Sequence, residues 1–298
     1  MRSFSFTLFL LPLFALGQDT PKALLWKISG QGLSRPNYVV GTVHSRDARA
    51  FGQVPLLLDI IEGQDVVAGE LDLTSSMAAS MDVAMAMMMP QGKELADFYS
   101  TKKLKRVNDA VQKELGPMAM MAGRVKPFFL MAMLSETAMR EDSGMVLDQY
   151  LQEKAKGMGK DVMGIETAQE QLSAVDDLSL QEQADMLYEL VEHDLYREDM
   201  EQMMDAYAAQ DLDRLTKIAT LGGLSDSFNT RLLTDRNKVM AQRVDSLMQE
   251  GRTFLFAFGA GHLTGELGVL SLLRRMGYTV EPVQNEVPRT VSGTPARP

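Results

Sequence analysis

Hydrophobic and polar positions along the chain fall into two patterns: short apolar runs, and longer stretches with apolar residues every three or four positions. Leu24-Leu25-Trp26-Lys27-Ile28 and Tyr38-Val39-Val40-Gly41-Thr42-Val43 predict two strands, and the Gly-, Ser-, Pro- and Asn-rich segment between them fits a hairpin. Residues 55–61 predict a helix, and Asp65-Val66-Val67-Ala68-Gly69-Glu70-Leu71 a buried strand with Glu70 near its carboxyl end. Residues 74–145 then change to Ala, Met, Lys and Glu at helical spacing, broken at Pro90-Gln91-Gly92 and at Gly116-Pro117, which predicts a helical insertion or lid. A helix over 147–155 precedes a third short strand, Lys160-Asp161-Val162-Met163-Gly164-Ile165-Glu166, again with an acidic residue at its end. A long amphipathic helical region over 180–210 follows, with further helices over 211–219 and 233–250. The strand at 253–258, the helix at 265–276 and the strand at 278–283 complete the pattern. Strands alternating with helices predict the α/β class.

The first 17 residues carry a basic Arg2, an apolar stretch from Leu8 to Leu16 and the small-residue motif Ala15-Leu16-Gly17, the pattern of a secretory signal peptide. Secretion or a periplasmic location is the expectation, with an uncleaved anchor as the alternative. No later stretch approaches the roughly 20 uninterrupted apolar residues of a membrane span, so none is expected in the mature chain. Residues 18–284 are expected to form a single domain, with a disordered tail over 285–298. The sequence has no cysteine, so disulfides, thiolate catalysis and cysteine-held metals are excluded. A net charge of −10 argues against a nucleic-acid partner, which requires a basic footprint.

The chemistry concentrates at strand ends. Only three histidines occur in 298 residues, yet two share one frame, Gly41-Thr42-Val43-His44 and Gly259-Ala260-Gly261-His262, each following a predicted strand. In α/β sheets, ligands bind beyond the carboxyl ends of the strands, which would bring His44, Glu70, Glu166 and His262 together. Two imidazoles and one or two carboxylates suit Zn²⁺, Mn²⁺ or Co²⁺ with a position open for water. Glu70 follows a buried run and needs a metal or another cation beside it; it is a candidate ligand or general base. Glu166 is either a site residue or a cap for the helix starting at Thr167. Arg236 is either a clamp for a carboxylate or oxyanion or a partner in a surface ion pair. His193 lies among Glu189, Glu192 and Asp194 on what reads as a solvated helix face, with no catalytic role. Met77, Met81, Met85 and Met88 form a helical stripe that is either packing or a thioether surface for Cu(I) or a partner.

Taken together, these segments resemble the TraB/GumN family, which is related to the Tiki metalloproteases and more distantly to the erythromycin-esterase-like proteins. The resemblance runs through Leu25-Trp26-Lys27-Ile28, Gly41-Thr42-Val43-His44, Val67-Ala68-Gly69-Glu70-Leu71-Asp72 and Leu147-Asp148-Gln149-Tyr150-Leu151. It continues in Gly164-Ile165-Glu166-Thr167, Glu170-Gln171-Leu172, Arg236-Asn237, Gly259-Ala260-Gly261-His262-Leu263, Gly265-Glu266 and Gly277-Tyr278-Thr279-Val280. It implies two related halves forming a central sheet with flanking helices and a helical insertion. It also implies a metal-dependent peptidase in which His44, Glu70 and His262 are site residues, joined by Glu166 and Arg236. The Met-rich segment after Asp72 departs from the family pattern. The leading expectation is an exported hydrolase in which a metal-activated water attacks a peptide or small acyl substrate. The alternatives are a metal-independent His/Glu esterase-like hydrolase and a non-catalytic protein that sequesters a peptide pheromone.

Overall fold

The computed structural model describes residues 22–74, 83–221 and 229–283. The signal-peptide pattern, the C-terminal tail, Met77 and Met81 lie outside the described residues. Among the described residues, six strands form one sheet: β1 (Leu25–Ser29), β2 (Asn37–Thr42), β3 (Val66–Gly69), β4 (Asp161–Gly164), β5 (Phe254–Gly259) and β6 (Thr279–Pro282). Their spatial order is β4-β3-β5-β2-β1-β6. The β1–β2 hairpin is antiparallel, as its connection predicts, and β1 also pairs antiparallel with β6. The strands β2, β5, β3 and β4 are mutually parallel.

This order creates the site. From β2 the chain passes through α1 (Val54–Gly63) to β3, leaving one strand position vacant, and β5 enters that gap from the far end of the sequence. The carboxyl ends of four neighbouring parallel strands therefore share one edge. β5 is central and reads Phe254-Leu255-Phe256-Ala257-Phe258, the continuous apolar run of a strand covered on both faces. Phe254 and Phe256 stack with ring centroids 5.1 Å apart. Trp26, Ile28, Val39, Val40 and Val67 extend the same core.

The helix α2 (Thr101–Leu115) begins at the Ser100 cap, and α3 (Pro127–Thr137) has a proline in its first turn. Both pack on α6 (Leu180–Glu192), so the helical insertion closes a second apolar core with a helix that lies after β4. Met88 packs against this core, whereas Met85 is 71% exposed. Three further helices, α4 (Leu147–Gly157), α5 (Ala168–Asp176) and α7 (Leu195–Ala208), occur around these elements. The long helix expected over 180–210 is two helices, because Asp194 takes φ 52° and ends the first one. His193 therefore caps α6 instead of lying within a helix; it is exposed and pairs with Glu189 at 3.3 Å. Beyond α8 (Leu212–Leu221), a π-helical turn over Thr230–Thr234 leads into α9 (Asp235–Met248), and α10 (Val269–Arg275) packs on α9. Among the described residues, no helix is long and apolar enough to cross a membrane.

Candidate functional site

Across the sheet edge, the expected residues stand on adjacent strands in the order Glu166, Glu70, His262, His44, following β4, β3, β5 and β2. Strands are about 4.8 Å apart, so neighbours on this edge are within reach of one another. The ladder between β3 and β4 continues past their ends: Ile165 N–H donates to the Gly69 carbonyl (2.9 Å) and Glu166 N–H to that of Glu70 (2.8 Å). This backbone pairing holds the two glutamates side by side.

Their partner is Arg236. Its Nη2 donates to Glu70 Oε2 at 2.8 Å and to Glu166 Oε2 at 2.6 Å, its Nε to Glu166 Oε1 at 3.0 Å, and its Nη1 to the Leu232 carbonyl at 3.1 Å. Gln171 Nε2 donates to the same two Oε2 atoms, at 3.2 Å each. The second oxygen of Glu70 accepts the Gly259 N–H at 2.6 Å; a side chain at Gly259 would crowd this oxygen, since its Cβ would come within 3.1 Å. Glu166 is therefore part of this ion-paired cluster and does not cap the helix after it, which is capped by Thr167 with Glu170 in a capping box. Arg236 is not a surface residue, with its side chain only 16% exposed. Burial alone would lower its pKa, but the two carboxylates overcome this and raise it. The guanidinium sits in the first turn of α9, where the helix dipole disfavours a cation, and the paired carboxylates offset that cost.

The two histidines differ. His262 is buried, and its Nδ1 lies 2.6 Å from Asn237 Oδ1. Asn237 Nδ2 donates to the Leu267 carbonyl at 3.0 Å, which leaves its Oδ1 to accept from the His262 Nδ1–H. The Nε2 lone pair then lies 3.8 Å from Glu70 Oε1. Burial lowers the His262 pKa, which favours the neutral ring. His44 is exposed over 64% of its side chain, and its Nδ1 meets Asp148 Oδ2 at 3.1 Å. The hydrogen bond to Asp148 raises its pKa against the opposing effect of desolvation.

His44, Glu70 and Asp148 line one cleft of about 280 Å³ together with Thr42, Gln152 and Gln171. Asp148 and Gln152 come from one face of α4, four residues apart, a spacing that could have nominated them from the sequence. Gln152 is buried and clamps the segment after β3: its Nε2 donates to the Leu71 carbonyl and its Oε1 accepts the Leu73 N–H, both at 2.8 Å. Sequence reasoning assigned no role to Asp148, Gln152, Gln171 or Asn237.

A divalent ion needs at least three convergent ligands. Among the described residues, no three His, Asp or Glu side chains are grouped to hold one. Two of the four expected ligands are otherwise engaged, since Glu70 and Glu166 hold a guanidinium. The residues as placed do not fit a metal centre. The arrangement instead supplies an Asp-oriented imidazole open to a cleft, beside a rigid, ion-paired carboxylate cluster.

The chain matches the model of the TraB/PrgY/gumN family over residues 24–282. It is similar to Metalloprotease TIKI2 of Danio rerio (26% identical over 89% of this chain and 62% of the relative) and of Xenopus tropicalis (28%, over 89% and 60%). It is also similar to Metalloprotease TIKI1 of Homo sapiens (26%, over 89% and 62%). The chain thus spans about three fifths of the length of these relatives. No solved structure matches it. With the family match running from β1 to β6 and taking in every strand end that carries the cleft, the chain belongs to the TraB/PrgY/gumN family.

Proposed function

We propose that this chain is an exported hydrolase of peptide or related acyl bonds, similar in activity to the Tiki metalloproteases. The observation that carries this reading is the pairing of His44 with Asp148 at the mouth of a cleft walled by Glu70. Asp148 fixes the ring through Nδ1, and among the described residues Nε2 has no hydrogen-bond partner. In this role Nε2 takes a proton from a water in the cleft as the water attacks, and Asp148 stabilises the imidazolium that forms. Glu70 is a weaker candidate for general base, because its oxygens already accept from Gly259, Arg236 and Gln171. It serves instead as a fixed charge in the cleft wall. Export rests on the N-terminal pattern of Arg2 followed by the apolar stretch to Leu16.

The sequence-level expectation of a Mn, Co or Zn ion held by His44, His262, Glu70 and Glu166 accords with the relatives' name. Arg236, however, already bridges two of those four, so the proton transfer is assigned to the chain's own groups. Incubating the purified protein with a peptide library, with and without EDTA, and reading the products by mass spectrometry tests the proposal. Cleavage by the wild type, lost on the order of 10²-fold or more in His44→Ala, is expected. A wild type that binds peptides but leaves all of them intact would favour the sequestering alternative, and cleavage abolished by EDTA would restore the metal.

A further inference from the structure

The walls of the His44 cleft are rich in acceptors. Glu70 and Asp148 both line it, and among the described residues no lysine or arginine does. Arg236 lines the neighbouring cleft and divides a single guanidinium between Glu70 and Glu166, so this cluster keeps a net negative charge. Asp148 adds another whenever His44 is neutral, as a proton acceptor must be. The amides do not compensate. Gln171 spends both Nε2 protons on Glu70 and Glu166, and Gln152 bonds the backbone at Leu71 and Leu73. Among the described residues no hydrogen bond engages Asp148 Oδ1 or Gln171 Oε1, which leaves both as acceptors in a cleft that Leu71 and Leu73 line with apolar surface. We propose that the cleft selects a substrate bearing a cationic N–H donor, an ammonium or guanidinium group, next to the bond that is cut, held between Glu70 and Asp148.

The chemistry of such a group matches the walls. Ammonium and guanidinium groups carry only donors and no acceptor, so each proton finds an oxygen here. An anionic group would meet two carboxylates and lose its water with no donor to replace it. A lysine or arginine side chain adds a methylene stem that packs on Leu71 and Leu73 while its head reaches the carboxylates, a stem that an N-terminal ammonium lacks. The net charge of −10 attracts the same class of ligand from a distance. The cationic group belongs to the substrate of the proposed hydrolase, so its assignment rests on that reading.

The probes are peptides blocked at both ends and identical except for one central residue, which is lysine, arginine, norleucine or glutamate; a further norleucine peptide has a free amino terminus. Binding to the wild type is measured by calorimetric titration, and cleavage of the same peptides by mass spectrometry. The lysine and arginine peptides are expected to bind about 10-fold more tightly than the norleucine peptide, and the glutamate peptide more weakly still. Their advantage shrinks as salt is raised. Leu73→Lys places an ammonium of the chain's own in the cleft without touching His44 or Asp148, and should bring lysine and norleucine peptides to within about 2-fold of each other, whereas the neutral Leu73→Met keeps the preference. An equal gain from the free amino terminus supports the proposal and assigns the ammonium to that source. Norleucine or glutamate peptides that bind the wild type as tightly as lysine peptides overturn it, as does a wild type that binds none of the set or an advantage unchanged in Leu73→Lys. Preferential binding of cationic peptides with none of them cleaved would sink the hydrolase reading and leave the cation selectivity standing; cleavage without charge preference would do the reverse.

Discussion

Gly69→Ala tests how the segment carrying Glu70 is held. Gly69 ends β3, and a Cβ there would overlap the Gln152 amide nitrogen and lie 2.8 Å from the Leu71 carbonyl oxygen. Gln152, 2% exposed, bonds Leu71 and Leu73 and ties the turn after β3 to α4. The added methyl must expel that amide, which breaks two hydrogen bonds worth about 1 kcal/mol each and strands buried polar groups at a further cost of about 1–3 kcal/mol. A loss of about 3–5 kcal/mol in unfolding free energy follows, measured by urea denaturation. Gln152→Ala should cost a similar amount. In the double variant the methyl no longer meets the amide and only the Leu71 contact remains, so the combined loss falls short of the sum by about 1 kcal/mol or more. A Gly69→Ala protein within about 0.5 kcal/mol of wild type, or strict additivity, would refute this account.

Asp148→Asn keeps a hydrogen-bond acceptor for His44 but removes the charge that raises its pKa, so nuclear magnetic resonance titration should find the ring titrating at lower pH. A histidine with a raised folded-state pKa adds stability below its unfolded value that disappears as pH rises through the folded one. The variant is therefore less stable than wild type in acid only, by about 0–1 kcal/mol for so exposed a pair, and its kcat drops on the order of 10²-fold with little change in KM. For His262 the sign is opposite. Its folded-state pKa is depressed by burial, so stability is lost as pH falls below the ordinary value of 6.5, where the unfolded chain takes up the proton first. His262→Gln should lack that part of the acid dependence in denaturation midpoints, and identical profiles for the two proteins would count against it. Tyr207→Phe removes the 2.9 Å bond from Tyr207 Oη to the Gly41 carbonyl and should cost about 1–2 kcal/mol in the same assay.

The strands were legible because each apolar run is short, bounded by turn residues and, in β5, continuous, as burial on both faces demands. The acidic residue at the end of β3 was legible for the same reason: it interrupts a run that must be buried. The strand order was not, since no local pattern indicates that β5 inserts between β2 and β3. Arg236 could be read equally well as a surface residue, because its role depends on Glu70 and Glu166, which are distant in sequence. The break at Asp194 was hidden because the apolar spacing continues across it with no Gly or Pro; an aspartate tolerates the left-handed conformation that turns the chain there. Asp148 and Gln152 were assigned no role because polar residues on a helix usually face water, and only the packing of α4 beside β3 directs them into the site.

The repeated G-x-x-H frame predicts two equivalent histidines, and the pairing of β2 with β5 explains why they are not. Gly41 lies opposite Phe258 and Thr42 opposite Gly259, so the motifs are one residue out of step across the parallel pair. Beyond the strands the paths diverge further. The first motif ends in a tight turn in which Ser45 N–H donates to the Val43 carbonyl at 2.8 Å, with His44 at its apex. The second winds into a 3₁₀ turn over Ala260–His262, which draws its histidine inward. One imidazole therefore reaches solvent and a carboxylate, while the other is buried against an amide with its lone pair turned toward Glu70. A proton acceptor must exchange with water, and a neutral donor must be kept from it; the one-residue offset places one histidine in each setting. The sequence repeat thus yields two complementary groups on neighbouring strands, not two copies of a ligand.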